Sequence, residues 1–191
     1  MYQENRVTTK EFGSLATSSD LLVNVPTAPG HPQQRLHVVA AKLLVPMSEA
    51  VQRDLGFPLL IASGWRPHRW ASREQYEQVL VQKYGSVAKG RLYLAFDSPH
   101  ETGLAADMGC GGLEPVSATI EKQKLTPLFK WLVENAYKYN FTPYRIESWH
   151  WECRISLNAY DSGVADNTTP EPVTGDPNDV CIDLPPLLPT S

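Results

Sequence analysis

Two short segments carry the residue types most suited to chemistry: Ser98-Pro-His100-Glu-Thr-Gly103-Leu-Ala105-Ala-Asp107 and Glu147-Ser-Trp149-His150. They supply two imidazoles and a carboxylate, groups that zinc takes in catalytic sites, where three protein ligands leave a fourth position for water. Glu147 stands three residues before His150. A carboxylate beside such a water can take its proton and later deliver it to a leaving amine. His100, Asp107 and His150 are therefore candidate metal ligands, and Glu147 is a candidate acid and base. Taken singly, the histidines could be ordinary hydrogen-bonded residues and Asp107 a turn cap, but that leaves their joint arrangement unexplained. His31 and His37 have no partner at metal-ligand spacing and read as structural or exposed.

The order of these residues resembles the zinc D-alanyl-D-alanine carboxypeptidase family, the VanY- and VanX-type peptidases of the cell wall. That family is marked by S-x-H-x-x-G-x-A-x-D, followed much later by E-x-W-H, and every fixed position of both is filled here. Ser63-Gly64-Trp65-Arg66 matches a third piece, an S-G-Y-R-like turn ending in a functional arginine. The resemblance covers roughly residues 36 to 157. It implies that His100, Asp107 and His150 hold one Zn2+ per chain and that Glu147 is the general base and acid. It implies that Arg66 stabilises an oxyanion or holds the substrate's carboxylate. Ser98 would hydrogen-bond substrate, although capping the turn before His100 is an equal reading of that residue. The implied substrate is the peptidoglycan stem peptide, with D-Ala-D-Ala carboxypeptidase activity first. The alternatives are an L-Ala-D-Glu endopeptidase of the endolysin type and a non-catalytic zinc-stabilised binding module. An intact Glu147 and Arg66 speak against the last, because a purely structural site needs neither.

The elements that must position these residues read as α+β, without the βαβ rhythm of a parallel sheet. Apolar residues recur at helical spacing from about Gln34 to Leu55, with Pro46 expected to kink or split the helix and Gly56 to stop it. Phe57 to Ala62 reads as a short strand leading to Ser63-Gly64. A second helix is expected over Trp70 to Tyr84, and a loop over residues 86–97. Leu104 to Cys110 reads as a strand. Thr126-Pro127 starts a third helix, with Asn140 as its left-handed C-cap. The last strand, Arg145 to Ile155, carries Glu147 and His150. Side chains three apart on a strand point to opposite faces, so these two need a bulge or twist between them to share a cavity. Trp149 and Trp151 would then pack the core behind the site, and His68 could line the pocket but reads first as a solvent-facing residue at a helix start. Glu152 could orient a ligand from outside the coordination shell if the strand is irregular there. The fold implied by the resemblance is the same: helices packed against a small antiparallel sheet that carries the zinc site, as in hedgehog-type and D-Ala-D-Ala-peptidase domains.

Residues 1–33 read as a polar N-terminal arm, 34–163 as the zinc peptidase domain, and 164–191 as a proline-rich acidic tail. The tail holds five acidic residues and no Lys or Arg, which leaves sixteen acidic against all seventeen basic residues in the body. A body this close to neutral offers no basic face for nucleic acid. No apolar run approaches the length needed to span a bilayer, and the first residues lack the apolar stretch of a signal peptide. A cell-wall enzyme of this kind acts in the periplasm or outside the cell, so this chain would be released by lysis, carried by a particle or secretion device, or shown without its leader. Leu184-Pro-Pro-Leu-Leu-Pro189 could dock as an extended peptide on a partner, or lie over the domain or stay disordered. Cys110 and Cys153 each follow a metal motif by three residues and could form a disulfide or remain two buried thiols.

Overall fold

The polar opening segment folds onto the body instead of extending from it. The computed structural model describes residues 6–108 and 111–166, and in it this segment forms a helical turn, α1 (Thr9–Phe12), capped by Thr8, and a strand, β1 (Leu22–Asn24). β1 pairs antiparallel with β2 (Arg35–His37), and Val7, Phe12 and Val25 join the main hydrophobic core. These apolar residues are too scattered to show a period, which is why the segment reads as an extended arm in sequence.

α2 (Val38–Leu55) follows directly and buries Val39, Ala40, Leu44, Met47, Ala50 and Val51 against the core. Each such side chain, where fully buried, contributes on the order of 1.5–3 kcal/mol for the larger types. The helix begins later than its apolar spacing suggests because residues 35–37 pair with β1 and the His37 ring accepts a hydrogen bond from the Val39 N–H at 3.2 Å. Pro46 does not split it. Pro46 and Lys42, whose carbonyl loses its donor, both lie on the exposed face where water can replace the bond. Gly56 ends the helix in the left-handed region.

Residues 57–60 form no strand. Pro58 lacks a donor, and among the described residues pairing begins only beyond this segment, as isolated bridges from Ile61 to Thr27 and from Ser63 to Asp107. α3 (Arg73–Tyr84) is capped by Ser72, so its start falls three residues beyond Trp70. Trp70 packs instead with Tyr76 and Leu80 in a separate small cluster, joined by Leu94 and Phe96. The expected loop contains a further turn, α4 (Val87–Gly90), capped by Ser86.

A 3-10 turn over Pro99–Thr102 leads into β3 (Ala105–Asp107). Then come α5 (Ile120–Lys124) and α6 (Pro127–Asn135), the latter capped by Thr126 with Pro127 in its first turn. A 3-10 turn closes it, and Asn140 takes the left-handed C-cap at φ 63°. β4 (Phe141–Tyr144), β5 (Glu147–Cys153) and α7 (Leu157–Ser162) complete the described elements. The three-stranded antiparallel sheet has the order β3-β5-β4, with α6 behind it and Trp151, Phe141 and Leu132 fully buried between. This is the α+β arrangement expected, with a small antiparallel sheet and helices around it. Among the described residues, no helix is long and apolar enough to cross a membrane.

Cys153 is a fully buried free thiol, and burial pushes its pKa far up. Cys110 and the tail from residue 167 lie outside the described residues.

Candidate metal centre and active site

The sheet brings the two motifs together through its pairing register. Asp107 on β3 stands opposite His150 on β5. His100 sits in the 3-10 turn just before β3, held by a reciprocal cap in which Ser98 Oγ accepts from the His100 N–H and Glu101 accepts from the Ser98 N–H. The backbone N–H of Asp107 in turn donates to Ser63 O at 2.7 Å, which ties the third motif to the free edge of β3.

His100 Nε2, Asp107 Oδ1 and His150 Nδ1 form a triangle with edges of 3.1, 3.2 and 3.1 Å. The outer nitrogens fix the tautomers. His100 Nδ1 donates to Gly64 O at 2.6 Å and His150 Nε2 donates to Glu152 Oε1 at 3.1 Å, because a carbonyl and a carboxylate can only accept. With both imidazoles neutral, as metal ligation requires, the remaining ring nitrogens aim lone pairs at each other and at a carboxylate oxygen. Such a convergence is repulsive unless a cation lies at its centre. Three ligands at about 2.0–2.2 Å from a tetrahedral zinc would stand a little over 3 Å apart, so the group fits one such ion. All three residues are buried.

The electrostatics agree. At Asp107, burial is outweighed by His100 and His150, which hold the carboxyl far below its usual range. Burial lowers His100. At His150, burial is outweighed by the hydrogen bonds to Asp107 and Glu152, and the pKa is pushed up to about 9. The site thus draws positive charge inward even where only a proton can supply it.

Glu147 reaches the same cavity through the irregularity its spacing demands. Pro143 of β4 pairs with Trp151, but the next residue, Tyr144, pairs with Glu147, so Ser148, Trp149 and His150 are extra on β5. Glu147 is half-buried, and burial, outweighing the pull of His150 and Arg66, raises its pKa. The same irregularity corrects the placement of Trp149. It lines the cavity, whereas Trp151 packs the core against Phe129 as expected.

The cavity holds about 580 Å3 and is lined by Arg66, Ser98, His100, Asp107, Glu147 and His150 among others. All the expected site residues therefore meet in one place. His68 also lines it, with Nδ1 3.1 Å from both oxygens of Glu101; it is exposed as expected, but in the stretch before α3 and not at a helix start. A second cavity, of about 510 Å3, shares Arg66, Pro67, Asp107 and Pro115 with the first.

Three contributors are absent from the sequence reading or misplaced by it. Glu152 does orient His150, and it needs no irregularity, since residues two apart on a strand share a face. Period-two counting from His150 was enough to find it. The Gly64 carbonyl that holds His100 is signalled by its residue type, because a Cβ there would stand 2.3 Å from Arg35 O. Arg6, from the opening segment, lines the cavity and pairs with Glu152 at 3.0 Å. No local pattern announces a contact across 146 positions.

Comparison with curated protein sequences finds no match. Among solved structures, the LD-carboxypeptidase LdcB, described for its recognition of peptidoglycan, is 25% identical with a TM-score of 0.54, covering 77% of this chain and 75% of that one. The vancomycin-resistance D,D-pentapeptidase VanY with Zn(II) is 19% identical, with a TM-score of 0.46, covering 80% and 90%. VanYB with D-alanine-D-alanine is 18% identical, with a TM-score of 0.47, covering 83% and 92%. Residues 33–154, well over half the chain and including every motif residue above, match the VanY D-alanyl-D-alanine carboxypeptidase family. The chain is a member of that family of peptidoglycan-hydrolysing enzymes.

Proposed function

We propose that this chain is a zinc-dependent peptidase acting on the peptidoglycan stem peptide, with the terminal D-Ala-D-Ala bond as its first substrate. The observation that carries the reading is the meeting of a three-ligand metal group, a half-buried glutamate and an arginine on one cavity. Residues 34–163 form the peptidase unit in this reading, with the opening segment laid against it.

His100, Asp107 and His150 would hold the ion, which when bound supplies a Lewis acid for the scissile carbonyl and a more acidic water. Glu147 takes the proton of the attacking water and delivers it to the departing amine, so one group serves as base and then as acid. Its raised pKa suits the second role, because a carboxyl that keeps its proton more readily takes up the proton of the water more readily before passing it on. Arg66 reaches the cavity from the turn that also supplies the Gly64 carbonyl. Its guanidinium stabilises the oxyanion or anchors a terminal carboxylate. Ser98 caps the His100 turn and borders the cavity, so both roles given to it remain compatible.

The second cavity favours one further reading. It shares Arg66, Pro67, Asp107 and Pro115 with the first, so the space beside Asp107 continues past one cavity, as an L-Ala-D-Glu endopeptidase that holds peptide beyond the scissile bond requires. The test is incubation of zinc-loaded protein with a stem pentapeptide ending in D-Ala-D-Ala, with and without chelator, read by mass spectrometry. Chelator-sensitive loss of one terminal D-Ala is expected. Cleavage between L-Ala and D-Glu would transfer the assignment to the endopeptidase, and an intact peptide would overturn both.

A further inference from the structure

We propose that Arg6 is a positioning residue for the metal ligand His150, acting through Glu152. The inference rests on the zinc reading of the site. It concerns a residue outside the stretch that matches the family, which begins at residue 33.

His150 can aim Nδ1 at the metal position only while its ring is held from the far side. Glu152 does this, with Oε1 accepting from His150 Nε2 at 3.1 Å. The carboxylate is almost wholly buried, with 2% of its side chain exposed. A buried carboxylate needs partners of its own, and two of them come from the opening segment. The Arg6 guanidinium pairs with Oε1 at 3.0 Å, and the Val7 N–H donates to Oε2 at 2.6 Å. Both oxygens are therefore fixed by consecutive residues.

Arg6 holds a second support of the same ring. Its guanidinium lies 3.9 Å over the face of Tyr144, and the Tyr144 ring meets the His150 ring edge-on at 5.8 Å. So Arg6 touches both groups that contact His150 from behind and beside it. It is itself anchored. Arg154 donates to Arg6 O at 2.8 Å while gripping both oxygens of Glu11, and Val7 is buried in the core. The arrangement is a metal ligand, a carboxylate that orients it, and a cation that orients the carboxylate, with the last drawn from the other end of the chain.

Because Arg6 also borders the cavity, contact with substrate is the competing role. Zinc affinity separates the two. Dissociation constants would be measured by chelator competition for the full chain, for Arg6→Gln, Arg6→Lys and Glu152→Gln, and for the Arg6→Gln/Glu152→Gln pair, alongside kcat and KM on a cleaved stem peptide at saturating zinc. Circular dichroism would check the fold of each variant. Arg6→Gln should weaken zinc binding by about 10–100-fold, as loss of a group supporting a ligand does. Arg6→Lys should recover most of this, since it keeps the cation. The double variant should be no weaker than the worse single one, because both changes break the same chain. KM should stay near the wild-type value in all of them.

Wild-type zinc affinity in Arg6→Gln, a change in KM alone, or additive losses in the double variant would each overturn the proposal. If Arg6→Gln does not fold, Arg6→Lys and Glu152→Gln carry the test, and a lysine variant no better than Glu152→Gln overturns it. If the wild-type protein binds no zinc, the functional reading falls with it. Zinc binding by wild type without the Arg6 effect removes this inference alone.

Discussion

The two walls of the cavity are made in opposite ways. The wall carrying His100, Asp107 and His150 is built from the sheet and the turn that leads into it, and its polar atoms face one another and further buried partners. The facing wall, residues 66–97, stands on a small cluster of its own and presents exposed Arg66, Arg69, Leu92 and Tyr93. The first wall fixes three ligand atoms with little freedom, as coordination requires. The second has space to accept different chains without disturbing the metal group. In a peptidase this division separates what must not move from what decides which peptide enters.

The largest effect that would break this division comes from the buried wall. His150→Ala should remove the metal and reduce turnover to background, read by metal content after dialysis and by peptide cleavage. Retained stoichiometric zinc would end the ligand assignment. Glu147→Gln should keep the metal yet lower kcat by about 10²–10⁴-fold, the range for a lost general acid or base. Near-normal turnover in that variant would leave Glu147 without its role.

A smaller effect is expected across the cavity. Arg66→Ala should keep full zinc content and lower kcat/KM by about 10²–10³-fold if the guanidinium acts on the oxyanion. A rise in KM with kcat unchanged would assign it to anchoring the substrate's carboxylate. Either result sharpens the contrast, provided metal content stays intact. Loss of zinc in Arg66→Ala would erase it, because the facing wall would then be supporting coordination too.

The two walls also differ in how legible they are in the sequence. The ligands, the glutamate and the arginine lie in short motifs, and the bulge between Glu147 and His150 follows from the period of a strand. Helix ends were equally readable at Ser72, Thr126 and Asn140, where one residue's chemistry decides the boundary. What could not be read was contact at long range. Nothing near Arg6 indicates Glu152, and nothing near Val7 or Phe12 indicates a place in the core. The Phe57–Ala62 stretch is apolar enough for a strand, but among the described residues it has one isolated bridge, from Ile61 to Thr27. Composition records how a segment would prefer to be buried, and pairing depends on what the rest of the chain brings beside it.

The smallest effect concerns stability, and it tests whether Glu147 belongs with the buried wall or the exposed one. Burial raises its pKa in the folded protein, so the folded state binds that proton more tightly than the unfolded chain does. The contribution to stability is then fully present at low pH and is lost as pH rises from the ordinary glutamate value through the raised one. Above the ordinary glutamate value, pH 7 included, the buried carboxyl is a net burden on the metal-free fold, and Glu147→Gln removes it. The metal-free variant should therefore melt at a higher temperature than metal-free wild type at pH 7. The difference should vanish below about pH 4, where the wild-type carboxyl is protonated too. Calorimetry of the two proteins across that range reads the sign directly. Equal melting at pH 7 would mean that Glu147 is as well solvated as the residues facing it, and that the division between the walls runs between Glu147 and its neighbour His150.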